Sequence, residues 1–381
     1  MPSPSTFALV GARVFDGTAF HDDRAVIVRD ADIVGLAHAD ALPADVARID
    51  LDGLTLAPGF VDVQVNGGGG VLFNDAPTVE GMRAIAAAHR RFGTTGLLPT
   101  LISDEPDVMP RAVAAVRQAI AAGEPGILGI HLEGPFFDRA RRGTHALRHI
   151  RPLAPDDLPV LTALGDAGPT VVTLAPEHAP PGSIEALAAS GVRVSAGHTN
   201  ADYETMRAAV RRGVVGVTHL FNAMSGLASR EPGVVGAALR SRTLWCGLIA
   251  DGIHVHPASL SVAVAARGPG RMMLVSDAMP PVGADDPSFM LNGERITMRD
   301  GRCVNGEGAL AGAALDMATA VRNTVRDVGL PLGTALAMAS LHPATFLGLD
   351  DRIGRIAPGW RGDLVALDAD LRVVRTWIGG R

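Results

Sequence analysis

From Thr55 to about Pro343 the chain repeats one unit, an apolar run of strand composition followed by an Ala-rich stretch of helical composition. The helical stretches are Val79 to Phe92, Pro110 to Ala122, Ile184 to Ser190, Tyr203 to Arg212 and Leu315 to Val328. Strands alternating with helices at this spacing place both faces of a parallel sheet under helices, and this many units predicts an α/β fold of the (β/α)8 TIM-like barrel type. A doubly wound sheet would need a glycine-rich nucleotide turn after the first strand and an acidic partner further on, and neither stands out. At 381 residues the chain has room for such a barrel and one small accessory domain.

The two ends supply that domain. Phe7 to Val14, Ala25 to Val28 and Asp32 to Leu36 read as short strands, as do Ile353 to Ile356, Asp363 to Leu367 and Val373 to Ile378. Residues 1–54 and 344–381 are therefore expected to pair into one discontinuous β-sandwich around a barrel of residues 55–343. Ser288 to Val304, with its Asn292-Gly293 and Asp300-Gly301 turns, reads as a β-hairpin (288–304) inserted near the last barrel strand. The run Gly67 to Gly70 reads as a flexible turn, with an anion-binding nest as the alternative.

Ligand-type side chains recur directly after the apolar runs, at what would be the active face of a barrel. Gln64 and Asn66 follow Phe60 to Val63, Glu133 follows Gly126 to Leu132, and His198 follows Val192 to Gly197. His219, His254 and Asp277 follow the next three runs. Two imidazoles and a carboxylate leave one position open on a zinc-type ion, so Glu133, His198 and His219 are the expected metal ligands. Such an ion brings the pKa of a water down to roughly 7. Asp277 is then the expected general base and acid. Taken singly, each residue has an ordinary explanation, as a satisfied barrel histidine or a strand-end cap; their recurrence at successive strand ends does not.

Composition removes several alternatives. The sequence contains no lysine, which excludes a Walker P-loop, a Schiff-base lysine and a carboxylated-lysine metal bridge. Any phosphate must be held by arginine, histidine or backbone amides. The net charge of −6 and the absence of a basic run longer than Arg139, Arg141 and Arg142 argue against nucleic acid as a partner. No apolar run approaches a membrane span, and Met1 to Val10 lacks a secretory pattern, so a cytoplasmic protein is expected. Cys246 and Cys303 read as core or subsurface thiols.

The runs PGFVDVQVNG (58–67), HLEGPFF (131–137), RGTH (142–145), SAGHTNA (195–201), THLFNAM (218–224), ADGIHVHP (250–257), VSDAM (275–279) and GALAG (308–312) resemble the N-acetylglucosamine-6-phosphate deacetylases of the amidohydrolase superfamily. The closing HPA and GRIAPGWRGDLV (354–365) extend the resemblance over nearly the whole chain. It implies removal of the acetyl group from N-acetyl-D-glucosamine 6-phosphate, with the galactosamine epimer as the near alternative. Cyclic-amide hydrolysis and nucleobase deamination are disfavoured by the missing lysine and HxH pair; a non-catalytic metal-binding barrel would be expected to have lost a ligand.

By the same resemblance Thr144, Asn222, Ala223, Leu310, Ala311 and Gly312 contact the sugar, Arg230 and His254 hold the phosphate, and Asp251 orients His254 or contacts a hydroxyl. His145 polarises the amide carbonyl, and a homodimer is implied, with phosphate contacts made partly across its interface. Many superfamily members carry HxH after the first strand where this chain has Gln64 and Asn66. One divalent ion per subunit is therefore expected, zinc first, with iron, cobalt or manganese as alternatives, and the two amides serve as groups around it.

Overall fold

The computed structural model describes residues 6–381, so the first five residues of the expected N-terminal segment lie outside the described residues. Eight parallel strands form one sheet in chain order: β1 (Phe60–Val65), β2 (Thr94–Ile102), β3 (Ile130–Glu133), β4 (Thr170–Leu174), β5 (Arg193–Ala196), β6 (Val214–Val217), β7 (Trp245–Leu248) and β8 (Met272–Leu274). The sheet closes into a barrel where the chain leaves β8. There Val65 bridges Ala278, Asp277 N donates to Gln64 O at 3.0 Å, and Asn66 N donates to Ala278 O at 2.9 Å.

The barrel strands are buried along their whole length in β1, β2, β3 and β4, which is why they read as largely apolar runs, interrupted by the few polar residues that the seam and the site use. Three of the helices begin at a Thr or Asp side chain that accepts an orphan N–H. Thr78 caps Val79–Arg90, Asp202 caps Tyr203–Arg212, and Asp316 caps Met317–Arg326. Further helices over Gly233–Arg240, Pro257–Arg267, Leu332–Ala339 and Leu341–Leu347 help complete the outer layer.

The terminal segments form two sheets, one ordered Asp32–His38, Arg24–Arg29, Thr6–Val10, Ala47–Asp50, the other Val373–Trp377, Leu364–Leu367, Thr55–Pro58, Arg13–Phe15, Phe20–His21. Leu9, Val14, Val26, Ile33, Leu56, Leu364 and Trp377 share one core between them. The expected boundaries move at two points. Thr55–Pro58 pairs with Leu364–Leu367 and so belongs to the sandwich, whereas Leu341–Leu347 packs on β1 and β8 of the barrel. Two expected strands are also interrupted: Gly11 at φ +70° separates Thr6–Val10 from Arg13–Phe15, and Gly354 at φ +84° makes Ile353 to Ile356 a turn whose two isoleucines are nonetheless buried.

The expected hairpin is part of a four-stranded antiparallel sheet, Ser288–Leu291, Glu294–Arg299, Arg302–Val304 and Leu310–Ala313. Its inner face shares a cluster with Leu72, Ile102 and Met279 above the barrel. The run Gly67 to Gly70 is not a free turn. Gly67–Gly68 pairs with Val71–Leu72, and Gly67 O lies 2.9 Å from His89 Nε2.

Asp62 ties the barrel seam from within. Its Oδ1 accepts the N–H groups of Gln64 at 3.2 Å and Ser276 at 3.3 Å, while Oδ2 is buried with no partner among the described residues. Burial pushes this carboxyl up to about 7. The unfolded chain therefore binds fewer protons than the folded one between the ordinary value of 3.8 and about 7, and the stability Asp62 contributes is lost as pH rises through that window. Thermal unfolding of Asp62→Asn against wild type should show the difference in Tm moving in favour of the variant across this range; a pH-independent difference would contradict the assignment.

Candidate active site

Five of the eight strands, with the loops that leave them, deliver the central groups. Glu133 is the last residue of β3; His198 and His219 follow β5 and β6; Asp277 follows β8; Gln64 lies near the end of β1 with Asn66 just beyond it. The expected ligand positions are not on successive strands, because β2 and β4 intervene. His198, His219 and Asp277 have φ of +49°, +35° and +51°, a region non-glycine residues rarely occupy. Such strain gathers where a site over-determines the backbone. Here it lies where the chain leaves the strands and three central side chains reach the barrel mouth.

Glu133 Oε1, His198 Nε2 and His219 Nε2 converge at 3.1–3.2 Å from one another. All three residues are buried. His198 Nδ1 lies 2.9 Å from the carbonyl of Arg141 and so donates to it, which leaves a lone pair on Nε2 facing the cluster. A lone pair and a carboxylate oxygen opposed at 3.2 Å, inside a buried site, are compatible with a cation between them. The separations are those of neighbouring ligands around a small divalent ion with bonds of about 2.0–2.1 Å. Glu133, His198 and His219 thus fit a metal ion.

Gln64 and Asn66 face the two carboxylates. Gln64 Nε2 donates to Glu133 Oε2 at 3.1 Å and Asp277 Oδ1 at 3.2 Å, and Asn66 Nδ2 donates to Asp277 Oδ1 at 2.7 Å. Asp277 Oδ2 has no hydrogen-bond partner among the described residues. Burial, with the Glu133 charge beside it, pushes the Asp277 carboxyl up to about 6 against the opposing pull of His219, His254 and the Asn66 amide. A carboxylate near that value exchanges protons readily at neutral pH. Burial, with help from His198, holds the His145 imidazole well below its ordinary value, so the ring is neutral.

One cleft of about 200 Å³ is lined by Asn66, Glu133, Thr144, His145, His198, His219, Asn222, Ala223, His254, Asp277, Leu310 and Gly312. Three expected contacts stand elsewhere. Ala311 is fully buried and turns its methyl into the apolar cluster of the inserted sheet, because alternate residues of a strand face opposite sides. Asp251 sits behind His254, with Oδ2 at 2.6 Å from His254 Nδ1. Burial works to raise that carboxyl, but His254 and the N–H groups of Ile253 and His254 hold it below the usual range. Arg230 is exposed on the loop between His219 and the helix Gly233–Arg240 and does not line the cleft.

His178 is partly exposed and pairs with Asp138 at 2.9 Å, away from the cleft. His131 of the HLEGP run is a satisfied barrel histidine, bonded to Val63 O and Thr173 Oγ1. Sequence reasoning missed Ser103, just past β2, whose Oγ lies 2.8 Å from His145 Nδ1, and Asn292, whose Nδ2 donates to Thr144 O at 3.0 Å and ties the inserted sheet to the loop carrying Thr144 and His145. The signal for Ser103 is the polar residue that ends the long run TTGLLPTLIS; at Asn292 the sequence shows only a turn residue.

A closed (β/α)8 barrel that gathers a carboxylate and two imidazoles at its mouth, beside a second carboxylate held by amides, defines a metal-binding hydrolytic barrel. The chain belongs to the Amidohydrolase family, whose profile matches residues 55–381, and the NagA composite domain matches residues 6–56. It is 44% identical to the N-acetylgalactosamine-6-phosphate deacetylase of Shewanella sp. (strain ANA-3), over 97% of this chain and 94% of that one. The crystal structure of N-acetylglucosamine-6-phosphate deacetylase from Pasteurella multocida superposes with a TM-score of 0.95 at 34% identity, covering 98% of each chain. A mutant of the Mycobacterium smegmatis N-acetyl-D-glucosamine-6-phosphate deacetylase, in complex with N-acetyl-D-glucosamine 6-phosphate, gives a TM-score of 0.90 at 33% identity over 99% of each chain.

Replacing Glu133 by Gln removes the one charged donor of the cluster while keeping its shape. Elemental analysis should find bound divalent metal well below that of wild type, with the circular dichroism of the fold retained; full metal content in the variant would contradict the assignment of Glu133.

Proposed function

We propose that the protein hydrolyses the acetamido group of N-acetyl-D-glucosamine 6-phosphate, giving D-glucosamine 6-phosphate and acetate. The observation that carries this reading is the placement of Asp277, with one carboxylate oxygen fixed by Gln64 and Asn66 and the group raised to about 6, beside Glu133, His198 and His219 in one cleft. The named activities of the relatives fix the amide as that of an acetylated amino-sugar phosphate.

In this reading one divalent ion, zinc first, would be held by Glu133, His198 and His219, and would supply Lewis acidity in the cleft. Asp277 takes a proton as a water oxygen bonds to the acyl carbon, and returns it to the nitrogen as the C–N bond breaks. Atoms balance as amide plus water to amine plus acetic acid. His145 donates to the acyl oxygen; Thr144, Asn222, Ala223, Leu310 and Gly312 hold the sugar; His254, braced by Asp251, binds the phosphate.

Arg230 joins His254 on the phosphate across a homodimer interface. In support, Leu227 and Val262 are 61% and 63% exposed around an apolar groove lined by Phe221, Val235 and Leu239 next to the Arg230 loop, a surface suited to a second copy. Arginine supplies the bidentate fork that phosphate favours, and the chain has no lysine to replace it. We place the reaction in the cytoplasm, where two free buried cysteines and a charged sugar phosphate are at home.

The galactosamine epimer is the second reading, favoured by the 44% identity to the Shewanella enzyme. Acetate release from both epimers, side by side with added divalent metal, should show cleavage of the glucosamine substrate; preference for the galactosamine epimer would transfer the assignment, and cleavage of neither would refute it. Asp277→Asn should retain metal and lose about 10²-fold or more in kcat, the scale of acid–base catalysis. Near-wild-type turnover would remove Asp277 from the proton role.

A further inference from the structure

His145 presents one ring nitrogen to the cleft and buries the other. Nδ1 meets the residue just past β2, where Ser103 N lies at 3.3 Å and Ser103 Oγ at 2.8 Å. A backbone amide only donates, so Nδ1 offers it a lone pair, and the Ser103 hydroxyl donates to the same nitrogen. No other polar group among the described residues bonds to Nδ1. The ring proton then has one place left, Nε2, which has no hydrogen-bond partner among the described residues in a ring that lines the cleft.

Packing makes this arrangement rigid. His145 and Ser103 are both buried, and the imidazole stands edge-on to Phe137 at 4.8 Å and to His198 at 4.6 Å. Gly134, at φ +88°, leaves the space, since a Cβ there would lie 2.5 Å from Ser103 Oγ and 2.6 Å from the Phe137 ring.

We propose that Ser103 is a positioning residue that locks His145 in its Nε2–H form, so that a donor rather than a lone pair meets the acyl oxygen as it gains negative charge. The opposite tautomer would oppose two lone pairs at the point where charge develops. The identity of that oxygen rests on the deacetylation reading; the tautomer does not.

The test uses holoenzyme with 15N-labelled histidine, the His145 signals assigned by difference from His145→Gln. The ring nitrogens of wild-type His145 should show Nε2 protonated and Nδ1 bare, a result independent of turnover. Ser103→Ala, which keeps the backbone donor, should lower kcat by about tenfold to a hundredfold, the usual effect of losing a hydrogen-bonding partner behind a site residue, with KM within about twofold. Ser103→Thr should restore kcat. Ser103→Asp, which sets an acceptor against Nδ1, should draw the proton to that nitrogen and fall below the Ala variant. A protonated Nδ1 in wild type, or an Asp variant as active as the Ala variant, overturns the proposal. If wild type cleaves neither sugar phosphate, the functional reading fails while the tautomer measurement still decides the role of Ser103.

Discussion

Glu133 Oε1, His198 Nε2 and His219 Nε2 stand within about 3.2 Å of each other among buried residues, and much of the architecture at the barrel mouth is arranged to keep them there. A carboxylate and two imidazoles gathered out of bulk water are costly to bury unless they are compensated. The cost is met on several sides at once. The carbonyl of Arg141 accepts a hydrogen bond from His198 Nδ1–H, Gln64 bridges Glu133 to Asp277, and the left-handed backbone at His198, His219 and Asp277 is held by the barrel hydrogen bonds around it. A divalent ion is the remaining compensation the donor set calls for.

From this constraint follows the division of labour between the carboxylates. Glu133 points to the two imidazoles, whereas Asp277 has one oxygen tied down by two amides and the other unbonded beside the cleft. The same amides occupy positions where many superfamily members carry imidazoles, and their side-chain N–H groups point at carboxylates. An amide that donates to a carboxylate oxygen is spent on that contact and offers a cation only its weak carbonyl oxygen. The inserted sheet completes the cleft from above, with Leu310 and Gly312 on its lining and Asn292 tying it to the loop that carries Thr144 and His145.

The barrel was legible because its strands are covered on both faces, which writes largely apolar runs into the sequence between the Ala-rich helical stretches. The central residues were legible because barrel chemistry sits at strand ends. What escaped depends on long-range contacts. That Thr55–Pro58 pairs with Leu364–Leu367 is a register between segments about 300 residues apart, and no local pattern encodes it. Gly354 broke a strand that alternation alone predicted. Ala311 turned away because one residue of pleat reverses a side chain, and Ser103 was silent because its role exists only opposite His145, 42 positions later.

In the proposed reading one ion sits at Glu133, His198 and His219, with Gln64 and Asn66 kept for the carboxylates. Crystals of metal-loaded protein, measured on both sides of the absorption edge of the bound metal, test this most directly. A single anomalous peak per subunit is expected, about 2 Å from Glu133 Oε1, His198 Nε2 and His219 Nε2. A second peak of comparable height against Gln64 or Asn66, or a single peak away from these three atoms, would contradict it.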